Sequence, residues 1–250
     1  MKRLAAIILS LFPILLVVLF SDSTVLRAPA SGAIKHVVFD LDGTLVESLG
    51  FDVPGDVVLD SGEAYKVFPR ARELIEKVLK NGASVHFYSG GPQERNLDLL
   101  TKLKLSDGRS FSSVASSILG REDLIDLGDQ VQGEYFTDRY RKDLLKIGDL
   151  ESLIIVEDNK FFPLDEAQRA RVLELPIHDG GPLKPWREEH RLTWAYEVMD
   201  DVLTGKPLNQ INHNDVNETI INGIRQFGES ARGDLSRHGC AGIFYSLQFN

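Results

Sequence analysis

The chain has 250 residues, of which 43% are hydrophobic and 26% charged, and its formal net charge is -9. This composition is too apolar for an intrinsically disordered protein, and the length suffices for one domain with a substantial core. The acidic balance argues against nucleic acid as a partner, because nucleic-acid binding needs clustered basic residues. A single cysteine, Cys240, excludes a disulfide within the chain.

Residues 1–32 are predicted to be a targeting segment that precedes the fold. Lys2 and Arg3 are followed by an uncharged, apolar run over residues 4–20. A basic start, an apolar run and a small-residue site, here Ala-Pro-Ala at 28–30, are the parts of a cleaved signal peptide. The run is also just long enough for an uncleaved membrane anchor. Either segment would engage the membrane, and the rest of the chain would be periplasmic, secreted or anchored facing away from the cytoplasm.

The first part of the remaining chain predicts strands that alternate with helices. An apolar, β-branched run over residues 33–39 predicts a buried strand. Residues 47–67 contain several glycines and predict a loop or short hairpin, which would form a small flap instead of a large cap domain. Residues 70–80 predict a helix, 84–88 a second strand and 94–103 a second helix.

The second part continues the pattern with weaker signals. Residues 106–140 are predicted to be irregular, with short apolar pieces. Helices are predicted at 142–147, 187–203 and 215–227, and strands at 153–156 and 172–175. The alternation predicts an α/β fold with a Rossmann-like parallel sheet and helices on both faces. We assign residues 33–205 to this domain and 206–250 to a helical C-terminal extension of unknown role.

Polar residues follow three of the predicted strands directly. Asp40 and Asp42 follow the first strand, Ser89 the second and residues 157–159 (Glu-Asp-Asn) a later one. Open parallel sheets bind ligands beyond the carboxyl ends of their strands, so these side chains are expected to lie together. Asp40 and Asp42 can point the same way from an extended chain. One carboxylate could attack phosphorus, while the other protonates the leaving group and then activates water.

The residues after this aspartate pair also suit a phosphate ester as substrate. Gly43 allows a tight turn, and Thr44 can offer a hydroxyl and a backbone amide to a phosphate group. A phosphate ester carries negative charge that repels an anionic nucleophile, so the reaction needs a cation to neutralise that charge.

Residues 40–46, with the sequence DLDGTLV, resemble the first motif of the haloacid dehalogenase superfamily of hydrolases. The resemblance extends over about residues 34–175. It implies that Asp40 is the nucleophile, which forms an aspartyl-phosphate, and that Asp42 is the general acid and base. It also implies Mg²⁺ as the cofactor, a phosphorylated substrate and phosphomonoesterase activity.

Later positions match the other motifs of that superfamily. Ser89 resembles the second motif, whose hydroxyl binds phosphate, and Lys142 the third, whose ammonium compensates the phosphate charge. Thr44 and Gly90 are the further candidates for phosphate binding. The metal ligands that the resemblance implies are Asp40, Asp42 through its main-chain carbonyl, and either Asp158 or Asn159.

Residues 120–123, 140–144 and 154–159 are similar to the narrower family related to the RNA polymerase carboxy-terminal-domain phosphatases. That family usually has Glu at the position of Gly43, and a shorter segment between the first two of these motifs. The longer segment implies an insertion, and the substrate remains either a phosphoprotein or another bulky phosphoester. The alternatives are a non-catalytic protein-binding module with the same fold and a phosphotransferase.

Overall fold

The structure is a computed structural model that describes residues 33–128, 135–175 and 184–211, without the side chains of 184–190. The predicted targeting segment, the helix predicted at 215–227 and most of the C-terminal extension lie outside these residues. Within the described part of the chain, no helix has the length and apolarity needed to cross a membrane.

The described residues form two kinds of sheet, with helices between their strands. The strands are β1 (His36–Phe39), β2 (Val46–Phe51), β3 (Val57–Val58), β4 (Glu63–Val67), β5 (Ser84–Tyr88), β6 (Ala115–Leu119), β7 (Ile125–Asp126), β8 (Tyr140–Arg141), β9 (Leu153–Glu157) and β10 (Val172–Glu174). The α-helices are α1 (Ala71–Lys80), α2 (Gln93–Lys102), α3 (Phe111–Val114), α4 (Phe136–Arg139), α5 (Glu166–Arg169) and α6 (Lys184–Leu203). Short 3₁₀ helices lie at Arg121–Asp123, Leu144–Lys146, Leu150–Ser152 and Leu208–Gln210.

The central sheet has five parallel strands in the order β10-β9-β1-β5-β6. β1 lies in the middle, with β5 on one side and β9 on the other, so the chain crosses from one half of the sheet to the other at β1. This is the topology in which a crevice opens beyond the carboxyl ends of the central strands. The predicted Rossmann-like α/β fold is confirmed.

Side chains of β1 alternate between two cores. Val37 and Phe39 lie in the larger core, which includes residues of α1 and α6, and Val38 lies in a smaller one on the opposite face. The smaller core is closed by Leu144 and the 3₁₀ helices around it. Full burial of one such side chain stabilises the fold by about 1.5–3 kcal/mol. The uninterrupted apolar sequence of β1 therefore follows from the packing of both its faces.

The predicted flap is a small antiparallel sheet in the order β2-β4-β3. It follows β1 directly, and the pairing of β2 with β4 shifts register between Ser48 and Gly50. Tyr65 of β4 is buried in the larger core, which ties the flap to the domain. The flap is as small as the sequence predicted.

Two predictions of local structure were wrong. The segment 106–140 is not irregular throughout, because residues 115–119 form β6 at the edge of the central sheet. β6 is only partly buried and contains two serines, so it lacks the continuous apolar run that marks the other parallel strands. The helix predicted at 142–147 is reduced to one 3₁₀ turn, because Lys142 is extended and bridges to Pro163.

Candidate active site

The turn after β1 places Asp40 at the carboxyl end of the central strand. The Asp40 amide donates to the carbonyl of Val156, which extends the pairing with β9 by one residue. Gly43 has a φ of +75°, in the left-handed region that favours glycine. A Cβ at Gly43 would also lie 2.5 Å from Oδ2 of Asp158. A larger residue at this position would therefore be strained by the backbone conformation and would displace the Asp158 carboxylate.

Lys142 is fully buried and joins two carboxylates. Its Nζ lies 2.5 Å from Oδ1 of Asp40 and 2.6 Å from Oε2 of Glu157. Burial disfavours the charged form of Lys142, but the two carboxylates raise its pKa overall. Burial raises the pKa of Asp40 to about 6, although Lys142 opposes the rise. The buried lysine is thus held as a cation directly beside the predicted nucleophile.

Three carboxylates gather beyond the ends of β1 and β9. One oxygen each from Asp40, Glu157 and Asp158 lies within 4.8 Å of the others. Burial raises the pKa of Glu157, and the charge of Asp40 raises it further. Mg²⁺ prefers oxygen ligands, and a divalent cation would offset the repulsion among these groups. The donor set therefore fits the Mg²⁺ that the resemblance implies.

The members of this cluster are not equivalent. Both oxygens of Glu157 already face donors, since Oε2 accepts from Lys142 and Oε1 accepts from the amide of Asn159 at 3.2 Å. Among the described residues, no donor reaches Oδ2 of Asp40. Asp158 has the buried Arg191 as its basic neighbour at 4.0 Å. Asp40 and Asp158 thus offer the more accessible oxygens.

Asp42 lies in a network of donors. Nη1 and Nη2 of Arg95 lie 2.9 and 2.5 Å from its two carboxylate oxygens. The hydroxyl of Ser89 donates to Oδ2 at 3.1 Å and accepts from the amide of Gly91 at 3.1 Å. Bidentate pairs of this kind fix the orientation of a carboxylate as well as its charge. Asp42 is thus fixed in position by the loop that follows β5 and by α2.

These groups surround a cavity of about 370 Å³. Its lining includes the following residues that the sequence predicted: Asp40, Asp42, Gly90, Asp158 and Asn159. Glu157, which the sequence placed at this edge of the sheet without a role, also lines the cavity. The remaining lining residues were not predicted: Gly91, Arg95, Arg121, Phe136, Thr137 and Phe162. The structure thus brings the polar ends of β1, β5 and β9 to one cavity, as the sequence predicted.

Three predicted phosphate-binding side chains do not line the cavity. Lys142 is buried behind Asp40, and Ser89 is buried beside Asp42. Thr44 is fully buried, its amide donates to the carbonyl of Leu41, and its hydroxyl has no hydrogen-bond partner among the described residues. The structure therefore does not bring the Thr44 hydroxyl to a position for phosphate binding.

Asn159 lines the cavity, but its carboxamide oxygen accepts from the amide of Phe161 at 3.1 Å. Asp158, not Asn159, is the member of the pair that lies with Asp40. Of the two candidate ligands that the sequence left open, Asp158 is thus the one that lies beside Asp40.

Sequence reasoning did not identify Arg95 or Arg191 as parts of the site. It placed Glu157 with the polar residues at the strand ends, because Glu157 ends the apolar strand that leads to Asp158, but it gave Glu157 no role. Arg95 lies in the first turn of the predicted helix after Ser89, which is a weaker signal. Arg191 comes from α6, and no local pattern relates that helix to the site.

Comparison with known proteins gives structural likeness only. No family model matches the chain, and no curated protein is similar to it. Among solved structures, it is similar to a predicted phosphoglycolate phosphatase from Haemophilus somnus 129pt, with 14% identity, a TM-score of 0.39 and coverage of 58% of this chain and 86% of that one. It is also similar to the fission yeast RNA polymerase II CTD phosphatase Fcp1 bound to beryllium fluoride, with 12% identity, a TM-score of 0.39 and coverage of 84% and 67%. A second structure of Fcp1, described as an essential phosphatase, has 15% identity, the same TM-score and the same coverage.

Proposed function

We propose that this chain is a Mg²⁺-dependent phosphomonoesterase that forms an aspartyl-phosphate on Asp40. The observation that supports it most is the buried Asp40–Lys142 pair at the cavity, with Asp158 beside it and Asp42 two residues along the chain. A carboxylate with one oxygen fixed by a cation and the other accessible is suited to nucleophilic attack.

Asp40 is the nucleophile in this proposal. Lys142 holds Oδ1, so Oδ2 is the oxygen that attacks phosphorus. The new bond joins Oδ2 to phosphorus, and the bond from phosphorus to the ester oxygen breaks. Lys142 stays beside the resulting acyl phosphate and supplies positive charge from a position that water does not reach.

Asp42 moves the protons. It gives a proton to the departing ester oxygen and then takes one from the water that attacks the acyl phosphate, which restores Asp40. Asp42 lines the cavity, and Arg95 and Ser89 fix its carboxylate. In the arrangement observed, both Asp42 oxygens face donors, so one oxygen must give up its donor to carry the proton while Arg95 continues to hold the other.

Asp158 would hold the magnesium ion together with the Asp40 oxygen that does not attack phosphorus, and the Asp42 main-chain carbonyl would be a further oxygen donor. When bound, the ion supplies positive charge that offsets the charge of the phosphate and of the carboxylates. We assign Glu157 to the positioning of Lys142, because its oxygens already accept from that lysine and from a backbone amide.

Gly90 and Ser89 are the proposed phosphate-binding groups of the loop after β5. Gly90 lines the cavity directly. Ser89 donates to Asp42, and rotation of its hydroxyl would redirect that hydrogen bond to a phosphate oxygen. The flap is small, so a phosphoprotein or another bulky phosphoester is proposed as the substrate.

The proposal is tested with purified protein, Mg²⁺ and p-nitrophenyl phosphate. Wild type is expected to release inorganic phosphate, and Asp40→Asn to lose at least about a thousandfold in kcat. Asp149→Asn removes an exposed carboxylate remote from the cavity and is the matched control. Absence of turnover in wild type, or full turnover in Asp40→Asn, would contradict the proposal. Transfer of phosphate to added alcohols without release to water would favour a phosphotransferase.

We further propose that this activity is exported from the cytoplasm. The support is the basic start and apolar run within residues 1–32. Mass spectrometry of the mature amino terminus distinguishes a cleaved signal from an anchor, and recovery of the intact chain in the soluble cytoplasm would contradict export.

A further inference from the structure

One side of the cavity is aromatic, which the proposed chemistry does not require. Phe136 and Phe162, here called the aromatic wall, both line the cavity, and their ring centroids lie 6.3 Å apart at 77°. Phe136 also stacks on Tyr140 at 4.7 Å. Phe162 is almost fully buried, whereas 38% of Phe136 is exposed. The proposed phosphate transfer does not itself require an aromatic ring. The exposed part of the Phe136 side chain is therefore available for contact with a substrate.

The aromatic wall lies against the loop proposed to bind phosphate. A Cβ added at Gly90 would lie 3.0 Å from Cε1 of Phe136 and 3.3 Å from Cζ of Phe162. Lys142, which holds the nucleophile, lies 4.4 Å from the centroid of Phe162. A phosphate bound between Asp40 and Gly90 therefore has its ester group within reach of these rings.

Arg121 fixes the exposed ring in this position. Its guanidinium carbon lies 5.1 Å from the centroid of Phe136, and its Nε donates to the carbonyl of Gly90 at 3.0 Å. The guanidinium is planar and stacks on aromatic faces. Arg121 thus connects the Phe136 ring to the phosphate loop, so that the wall is preorganised beside the reacting group.

Most of the remaining lining is polar or charged, and it includes Asp42 and Asp158. Burial of an apolar group against carboxylates is unfavourable, because their charges would lose hydration. An apolar ester group is therefore favoured against Phe136 and not against these carboxylates.

We propose that the preferred substrates are phosphate monoesters whose ester group carries an aromatic ring, which packs against the aromatic wall. This inference rests on the proposed phosphatase function. The volume of the cavity, about 370 Å³, lies within the range of small-molecule binding pockets, which is about 300–1,000 Å³. Both a small aryl or benzyl phosphate and a phosphotyrosine side chain have this chemistry.

The test compares kcat/KM for benzyl phosphate and ethyl phosphate. Both release a primary alcohol of similar basicity, so the ratio reports contact with the ring and not leaving-group reactivity. Wild type is expected to prefer benzyl phosphate by about tenfold, and Phe136→Ala to retain about a twofold preference. Phe161→Ala is the matched control, because Phe161 is 58% exposed and outside the cavity lining.

A wild type without preference would overturn the inference, as would an unchanged ratio in Phe136→Ala or an equal loss in Phe161→Ala. If the alanine variant is unstable, Phe136→Leu replaces it, because leucine keeps apolar volume but has no ring face. This variant is expected to lose part of the preference for benzyl phosphate. A higher kcat/KM for a phosphotyrosine peptide than for phenyl phosphate, whose leaving group is also a phenol, identifies a protein source, and the reverse identifies a small ester.

A binding measurement separates this inference from the proposed function. If no ester is hydrolysed, the proposed phosphatase activity fails, but the aromatic wall can still be tested with phosphonates, which are not turned over. Calorimetry should then show tighter binding of benzylphosphonate than of ethylphosphonate by about tenfold, with the difference reduced in Phe136→Ala. Equal binding of the two would overturn the inference.

Discussion

Arg95 holds both carboxylate oxygens of Asp42, the residue proposed to move protons in the reaction. The guanidinium lies across Gly91 and 5.7 Å from the ring centroid of Tyr65, so it is supported from two sides. The orientation of the acid and base therefore depends on an arginine that belongs to none of the sequence motifs.

Replacement of Arg95 by lysine is expected to lower kcat by about tenfold with a smaller change in KM. Lysine keeps the charge but cannot make the bidentate contact, so Asp42 loses its fixed orientation. Steady-state kinetics with p-nitrophenyl phosphate measures both constants. Arg109→Lys alters an exposed arginine–aspartate pair and should leave both unchanged. A larger effect on KM than on kcat would show that Arg95 binds substrate instead.

The Gly91→Ala variant is expected to reproduce the effect of the Arg95 variant. A Cβ at Gly91 would lie within 1.7 Å of Nη2 of Arg95, so the guanidinium must move. The backbone at Gly91 lies outside the left-handed region, so alanine introduces no backbone strain. Gly148→Ala, where the added atom makes an ordinary contact of 3.4 Å with His36, is the control.

The two substitutions should also be non-additive. If Gly91→Ala acts through Arg95, then Gly91→Ala with Arg95→Gln lowers kcat no further than Arg95→Gln alone. If the double variant instead lost kcat by the product of the two single losses, Gly91 would have a role that does not depend on Arg95.

Lys142→Met is expected to lower the free energy of unfolding at pH 7 by about 3 kcal/mol, because two buried carboxylates lose their cation. Without Lys142 the pKa values of Asp40 and Glu157 rise further. The folded state then binds more protons than the unfolded state, so the variant should regain stability as the pH falls from 7 to 5. Urea unfolding measures both effects. Lys160→Met, which removes a partly exposed ion pair, should cause neither.

For the buried His86 we expect a second pH dependence of stability, opposite in sign to that of the Lys142 variant. Burial and, to a smaller extent, the charge of His36 together lower the pKa of His86 to about 4. Its ring bonds to His36 and to the hydroxyl of Ser117. Between about pH 6.5 and 4 the unfolded state binds the proton and the folded state does not, so stability falls as the pH falls through this window.

The contribution of His86 to the pH dependence is obtained by comparing the unfolding free energies of wild type and His86→Gln. Relative to His86→Gln, wild type should lose about 2 kcal/mol of unfolding free energy between pH 7 and pH 5. Titrating groups that do not contact His86 act equally on both proteins, and His36→Gln in both backgrounds removes the contribution of the one that does. A constant difference between wild type and variant across this range would contradict the buried, neutral histidine.

The sequence predicted the parts of the fold that depend on continuous apolar runs. β1 and β9 are buried on both faces, so their composition alone identified them, and their polar ends identified the meeting point of Asp40 and Asp158. β6 was missed because an edge strand needs less apolar surface. The pairing of Arg95 with Asp42 could not be predicted, since it depends on how α2 is oriented after the loop that starts at Ser89.

The aromatic wall could not be predicted from the sequence for a different reason. Phe136 belongs to a segment with no periodic pattern, and Phe162 follows the acidic end of β9. They meet only because both chain segments pack against Gly90. Contacts between irregular segments are set by tertiary packing and leave no regular spacing in the sequence.

The close approach of Asp158 to the turn after β1 has an evolutionary consequence. A side chain at position 43 and the carboxylate at position 158 would occupy the same space. A homologue with glutamate at position 43 must therefore strain or alter the turn and rotate the carboxylate end of the group at position 158 away from it. The residue at position 43 is thus expected to set the orientation of the acidic group at position 158 among homologues, and a homologue structure with glutamate at 43 and an unmoved carboxylate would show that the turn can be built in another way.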